Sequence, residues 1–138
     1  MRTFVSTYVE LTSHSSFLIL PMTWSLAIEQ FIGSLQLEQG LAANSQAAYR
    51  RDVQRLHQYL MAVGARHIGP TQVEPPHIRG MLTWLGEAGL SAPSQARMLS
   101  GLKTFFKFLV MEDLIRTAPT DTVGGPKIGR QLPDVLDF

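Results

Sequence analysis

The chain has 138 residues, of which 45% are hydrophobic, and a formal net charge of +1. This length and apolar content are typical of one globular domain with a single core. The absence of cysteine excludes a disulfide framework and a cysteine-ligated metal site. No apolar run approaches the roughly 20 residues needed to cross a bilayer, so no membrane-spanning segment is expected.

Helical periodicity begins late in the chain, and residues 1–22 are predicted to be an extension outside the fold. The first helix is predicted over about Thr23–Gln39, with Thr23 as its N-cap and Gly40 as the residue that ends it. Its apolar positions are Leu26, Phe31, Leu35 and Leu37.

The second helix is predicted over about Asn44–Val63, with Gly64 as its stop signal. We expect Asn44 or Ser45 to cap its first turn. A single apolar stripe, with spacings of three and four residues, is formed by Tyr49, Val53, Leu56, Leu60 and Val63. Tyr49 is therefore interpreted as a core residue with a polar tip.

The third helix is predicted over about Pro75–Ala88, between the breaker Gly69–Pro70 and the stop signal Gly89. Its core side is formed by Ile78, Met81, Leu82 and Leu85, with Trp84 nearby.

The fourth helix is predicted over about Ala92–Val110, with Ser91 as N-cap. Its apolar stripe is formed by Met98, Leu102, Phe105 and Leu109, widened by Leu99, Phe106 and Val110. Phe108 lies outside that stripe, so it must pack on another element or be exposed.

These elements predict an all-α fold of four helices in two helical hairpins, because no stretch shows sustained β alternation. The helical domain is expected to cover residues 23–117. Residues 118–138 are rich in proline and glycine, and we expect them to form an extended linker.

One phrase occurs at the start of both the second and the fourth helix. Residues 40–47 read GLAANSQA and residues 89–96 read GLSAPSQA. Helix N-termini attract anions through unpaired N–H groups and the helix dipole. The polar side chains there are Asn44, Ser45 and Gln46 in one copy, and Ser91, Ser94 and Gln95 in the other. They could donate to phosphate oxygens, although N-capping alone explains part of this choice.

Positive charge is concentrated on alternate helices. The second and fourth carry six basic residues against one acid, a net charge of +5, whereas the first and third carry one against three, a net charge of −2. The basic residues are Arg50, Arg51, Arg55, Arg97, Lys103 and Lys107. Arg97, Ser100, Thr104 and Lys107 lie opposite the apolar stripe of their helix. Such faces suit a phosphate-rich groove, but an ordinary solvated face is also polar.

Enzyme signatures are missing from the sequence. The stretch GGPKIG lacks the spacing of a phosphate-binding loop, and there is no G-x-S-x-G motif. The four histidines form no ligand pair at helical spacing, so neither a metal site nor a cofactor is expected. A small all-α enzyme is therefore the least supported of the functions considered.

Two longer stretches resemble a known family. Residues 40–60 read GLAANSQAAYRRDVQRLHQYL, and residues 89–115 read GLSAPSQARMLSGLKTFFKFLVMEDLI. They resemble the second and fourth helices of the N-terminal, core-binding domain of tyrosine recombinases. The stretch GGPKIGRQLPDVLD resembles the linker to that family's catalytic domain, with features of the XerD-like group in the Xer branch. The chain departs from the family pattern at Ser45, usually Thr, at Asp113, often Gly, and at Ala118, usually Asn.

The resemblance implies a four-helix SAM-like domain that forms half of a C-shaped clamp on duplex DNA at a recombination site. Its second and fourth helices would approach the major groove. The matching positions are Asn44, Ser45, Tyr49, Arg50, Arg51, Asp52, Ser94, Arg97, Ser100, Lys103, Lys107 and Lys127. Asp52 is interpreted as orienting an arginine. Gln46, Arg55, Gln95 and Thr104 complete the predicted DNA-binding set from their positions on the two helices.

The family's catalytic residues lie in a C-terminal domain, and this chain stops where that domain would begin. Tyr8, Tyr49 and Tyr59 match none of its motifs. The resemblance therefore implies a chain that does not cleave DNA, from a parent recombinase that works as a tetramer in the bacterial cytoplasm, associated with the nucleoid. No small-molecule substrate or membrane partner is expected.

A helical protein–protein interaction module is the alternative. In that hypothesis the acidic first and third helices, which carry Trp24 and Trp84, meet a neighbouring protomer.

Overall fold

The computed structural model of the chain describes residues 22–124. In that range it contains four helices and no strand: α1 (Trp24–Gln39), α2 (Ala43–Ala62), α3 (Pro75–Glu87) and α4 (Ala92–Met111). The predicted all-α fold is confirmed, and each helix begins and ends within one residue of its expected bound. The N-terminal extension up to residue 21 and the linker from residue 125, including Lys127, lie outside the described residues.

The helix ends follow the capping signals with one exception. Thr23 Oγ1 accepts from the Leu26 amide at 3.1 Å, and Ser91 Oγ accepts from the Ser94 amide at 3.3 Å. Gly40 ends α1 with a φ of 59°, a left-handed conformation that favours glycine. The expected Asn or Ser cap of α2 is wrong. Ala42 holds that position without a side-chain hydrogen bond, because the helix begins one residue earlier than predicted.

Aromatic side chains from α1, α2 and α4 form the centre of the core. Phe31 packs at ring-centroid distances of 5.2 Å on Phe105, 5.6 Å on Phe108 and 5.7 Å on Tyr49. Phe108, which lay outside the predicted stripe, thus packs against α1. Tyr49 meets Phe31 edge-on and is half-buried, as its interpretation required.

Some apolar residues do not lie where their periodicity placed them. Leu37 is 73% exposed and Val63 is 49% exposed. Leu37 lies in the last turn of α1, and Val63 is the residue at which α2 has already ended. Trp24 cannot meet a neighbouring protomer, because it is buried and its Nε1 donates to the Ile68 carbonyl at 3.0 Å. Trp84 remains 36% exposed.

The chain turns back on the helices after α4. Asp113 adopts a φ of 62°, a left-handed conformation that aspartate tolerates better than most residues. Residues 118–123 form turns, and Val123 is only 3% exposed within the core. This part of the expected linker therefore lies against the fold, which differs from the extended conformation that its composition indicated.

α2 contacts each of the other three helices, and its contact with α4 includes a close approach at Gly101. A Cβ added at Gly101 of α4 would lie 3.0 Å from Cγ of Asp52 on α2, and nearer still to its Oδ2. Only glycine leaves room for this carboxylate. The contact lies between the two helices that carry most of the positive charge.

We expect Gly101→Ala to destabilise the domain by about 1–3 kcal/mol, because the added methyl overpacks against Asp52. Without that contact the same substitution would stabilise the domain, since Gly→Ala inside a helix ordinarily raises the free energy of unfolding by about 0.5–1 kcal/mol. Urea unfolding of Gly101→Ala, of Asp52→Ala and of the double variant measures the free energy of coupling between the two positions. A Gly101→Ala variant as stable as the original chain would contradict the contact.

Candidate nucleic-acid interface

The arginines of α2 face two different neighbours. Arg50 forms a two-bond ion pair with Glu29 of α1, in which Nη2 donates to Oε1 at 3.3 Å. Hydrogen bonding in this pair lowers the pKa of Glu29 and raises that of Arg50. Arg50 and Asp52 point about 160° apart at ~100° per residue, so Asp52 lies on the opposite flank of α2. Arg50 is therefore turned toward α1, away from the flank that faces α4.

The positive charges of three arginines act on Asp52 where α2 meets α4. Burial raises the pKa of its carboxyl from 3.8 to about 6, although the positive charges of Arg97, Arg55 and Arg51 each oppose that rise. Two of these arginines come from α2 and one comes from α4. The carboxylate of Asp52 thus lies within electrostatic range of guanidinium groups from both helices, and its predicted role in orienting an arginine stays a prediction.

The outer face of α4 is polar from Arg97 to Lys107. At ~100° per residue, five of the predicted site residues fall within an arc of about 120°. They are Arg97, Ser100, Lys103, Thr104 and Lys107. Four of them are exposed, and Thr104 is half-buried with its Oγ1 donating to the Ser100 carbonyl at 3.2 Å. The cations of this face are therefore accessible, whereas the Thr104 hydroxyl proton is already used.

The repeated helix-start phrase has a structural explanation. Nε2 of Gln46 donates to the Leu41 carbonyl at 2.8 Å, and Nε2 of Gln95 donates to the Leu90 carbonyl at 2.9 Å. Each bond ties the first turn of a helix to the chain before it, five residues earlier. The repetition of glutamine is thus accounted for by backbone contacts, without any contact to a phosphate.

The remaining polar residues at these two helix starts differ in whether their side chains are hydrogen-bonded. Ser94 is held in the cap of α4, where its Oγ accepts from Ser91 Oγ at 3.0 Å. Asn44 is exposed and Ser45 is half-buried, and neither makes a side-chain hydrogen bond within residues 22–124. The first turn of α2 therefore leaves Asn44 and Ser45 without a side-chain partner in the described range, while Ser91 and Ser94 at the start of α4 bond to each other.

Sequence reasoning did not include Arg116 among the site residues. It is exposed, and it lines a cleft together with Lys103 and Lys107 of α4. The signal that could have found it is the apolar pair Ala118 and Val123, which predicts a segment folded back on the helices.

Neither a metal-ligand cluster nor a membrane span is found in the described part of the chain. Among residues 22–124, no three His, Asp or Glu side chains are grouped as a metal site would require. Over the same range, no helix is both long and apolar enough to cross a membrane.

Comparison with known proteins places the chain among DNA recombination proteins. Residues 28–113 match the family described as phage integrase, N-terminal SAM-like domain. The chain is 35% identical over 113 residues to tyrosine recombinase XerD of Chlorobaculum tepidum, covering 82% of this chain and 36% of that protein. It is 38% identical over 109 residues to XerD of Pseudomonas aeruginosa, covering 79% and 36%.

A third relative, tyrosine recombinase XerD of Brucella suis, is 36% identical over 117 residues, covering 85% of this chain and 37% of that protein. The chain thus spans somewhat more than a third of the length of these curated relatives. No solved structure matches it significantly.

We expect Asp52→Asn to stabilise the domain near neutral pH. The pKa of Asp52 is raised from 3.8 to about 6 in the folded state. Between about pH 4 and pH 6 the folded state therefore holds a proton that the unfolded state has lost. Stability therefore falls as pH rises from about 4 to about 6 and stays lower above that window. Removing the charge should raise the melting temperature at about pH 7.5, with a gain that disappears toward pH 4.

The matched control is Glu38→Gln, which removes one exposed carboxylate from α1. It reports the general effect of losing a negative charge. An Asp52→Asn variant that is less stable than the original chain at neutral pH would contradict the account of this carboxylate.

Proposed function

The chain belongs to the phage integrase N-terminal SAM-like domain family, as the N-terminal domain of a XerD-like tyrosine recombinase, and we propose that it binds duplex DNA through α2 and α4. The family membership makes DNA a plausible partner. The finer assignment, to two particular helices, rests on the chain's own geometry.

The observation that carries the proposal is the meeting of two basic helix faces around one contact. Arg51 and Arg55 lie one turn apart on α2, and Arg97 of α4 shares with them the electrostatic environment of Asp52. From there the cations continue along α4 to Lys103 and Lys107. A near-neutral chain thus has one strongly positive surface, whereas α1 and α3 are net acidic.

Such a surface suits the phosphate backbone more than it suits base edges. Arginine and lysine neutralise phosphates and release condensed counterions, and this supplies most of non-specific DNA affinity. Phosphate contacts also fix the register of a protein on the duplex. In the proposed complex, Arg51, Arg55, Arg97, Lys103 and Lys107 contact phosphates. Arg50 contributes less, because its guanidinium is already paired with Glu29.

The first turn of α2 supports the same orientation. Asn44 and Ser45 keep their side-chain hydrogen-bonding groups open beside the positive end of the helix dipole. These two residues can donate to a phosphate there. Ser94, Ser100 and Lys127 remain proposed contacts, whereas Gln46, Gln95 and Thr104 are proposed to act mainly by holding their helix turns.

The activity proposed for the whole protein follows from its relatives, which are tyrosine recombinases. A tyrosine recombinase that contains this domain would cleave and rejoin DNA strands with residues outside this chain. We propose that the domain is one jaw of a clamp at the recombination site, within a tetramer of recombinase protomers associated with the bacterial nucleoid.

We expect Arg51→Ala/Arg55→Ala to flatten the salt dependence of duplex binding. Each phosphate contact adds about 0.9 to the slope of log affinity against log salt, so losing two lowers the slope by about 1.8. Fluorescence anisotropy with a labelled duplex of about 30 base pairs, three turns of B-DNA, measures it between about 50 and 200 mM salt.

The matched control is Arg66→Ala/Arg79→Ala, which removes the same charge from exposed residues outside α2 and α4. It should leave the slope unchanged. An equal change in both variants would sink the assignment to α2 and α4. A chain that binds no duplex at low salt would instead support the helical protein–protein module.

A further inference from the structure

A cleft of about 450 Å³ lies beside α4, on the side of its outer face away from α2. Lys103 and Lys107 of α4 form one wall. Residues 116–121 form the other wall, because the chain turns at Asp113 and returns along the helix. The side chains that carry its chemistry are Lys103, Lys107, Arg116, Thr117, Thr120 and Asp121.

The second wall is anchored to the core. Ile115 and Ala118 pack partly against the core cluster, and Val123 is 3% exposed within it. The Asp121 amide donates to the Ala118 carbonyl at 3.1 Å, and the Val123 amide donates to the Thr120 carbonyl at 3.2 Å. Arg116 is therefore presented from a folded turn, which limits the entropy lost when it binds a ligand.

The charge of the cleft is unbalanced. Three cations face one carboxylate, Asp121. Lys103, Lys107 and Arg116 make no hydrogen bond or ion pair with any residue of the described range. Arg116 also borders a neighbouring cleft that contains Glu74 and Asp113. Among the residues that line this cleft, three cations and one carboxylate leave a net charge of +2.

The cleft is continuous with the proposed DNA-binding face. Lys103 and Lys107 belong both to the outer arc of α4 and to the wall of the cleft. Going around α4 at ~100° per residue, Arg97, Ser100, Lys107 and Lys103 follow one another toward the Arg116 segment. A duplex lying along α2 and α4 would therefore bring its backbone to this cleft next.

We propose that the cleft holds a phosphate of the DNA backbone, with Arg116 as a contact contributed from outside the four helices. This inference rests on the proposed function and extends the interface by one element. A guanidinium presents paired N–H donors that match two oxygens of a phosphate, and the two lysines add point charges. Asp121 weakens the site, because its carboxylate faces the same anion.

Two substitutions test the cleft in opposite directions. Arg116→Gln should lower the slope of log affinity against log salt by about 0.9, the contribution of one phosphate contact. Asp121→Asn should raise duplex affinity by about two- to fivefold at low salt, the effect of removing one screened surface charge. A gain of affinity cannot arise from misfolding, so this second variant keeps the test decisive.

The control for Arg116→Gln is Arg66→Gln, an exposed arginine in the loop beside Trp24 and His57. It should leave the slope unchanged. If Arg116→Gln and Asp121→Asn bind as the original chain does while Arg51→Ala/Arg55→Ala loses slope, the cleft proposal is overturned and the proposed function stands. If no variant alters the slope, both fail.

A titration with inorganic phosphate separates the two sources of the anion. Nuclear magnetic resonance shifts at Thr117 and Asp121 would report a free anion in the cleft. If phosphate perturbs those amides while Arg116→Gln leaves duplex binding unchanged, the cleft binds a free anion and the proposed DNA contact is wrong. The proposal requires the duplex slope to change.

Discussion

The structure depends on how closely α2 can approach α4. The carboxylate of Asp52 occupies the space that a Cβ at Gly101 would need, so any larger residue at Gly101 would force this carboxylate to move. α2 also contacts α1 and α3, and it therefore lies at the centre of the domain. Moving α2 away from α4 would change the separation between the two positive helix faces as well as the packing of the core.

This contact explains why a chain with a net charge of +1 has a strongly basic surface. Arg50 turns to the α1 side and forms an ion pair there with Glu29. The positive charges of Arg51, Arg55 and Arg97 act on the carboxylate of Asp52. The partly buried carboxylate moderates repulsion between the arginines. It does so at some loss of stability, as its raised pKa indicates. The proposed binding of DNA therefore depends on where the charges lie on the surface more than on the net charge of the chain.

Local signals in the sequence predicted the helices well. Glycine stops and hydroxyl caps such as Thr23 and Ser91 are read from neighbouring residues, so helix bounds needed no tertiary information. Positions that depend on distant partners were harder. Nothing local pairs Arg50 with Glu29 or returns Arg116 to α4, because those contacts depend on the folded arrangement. Leu37 is apolar and in register, yet no element within residues 22–124 covers its side chain.

The central claim is that the outer faces of α2 and α4 form a single surface for duplex DNA. The most direct measurement is a backbone amide shift map of the full chain, titrated with a duplex. The account predicts shifts confined to the start of α2, the flank of Arg51 and Arg55, the outer face of α4 and residues 116–121. Shifts concentrated on the exposed faces of α1 and α3, with α2 and α4 unchanged, would contradict it.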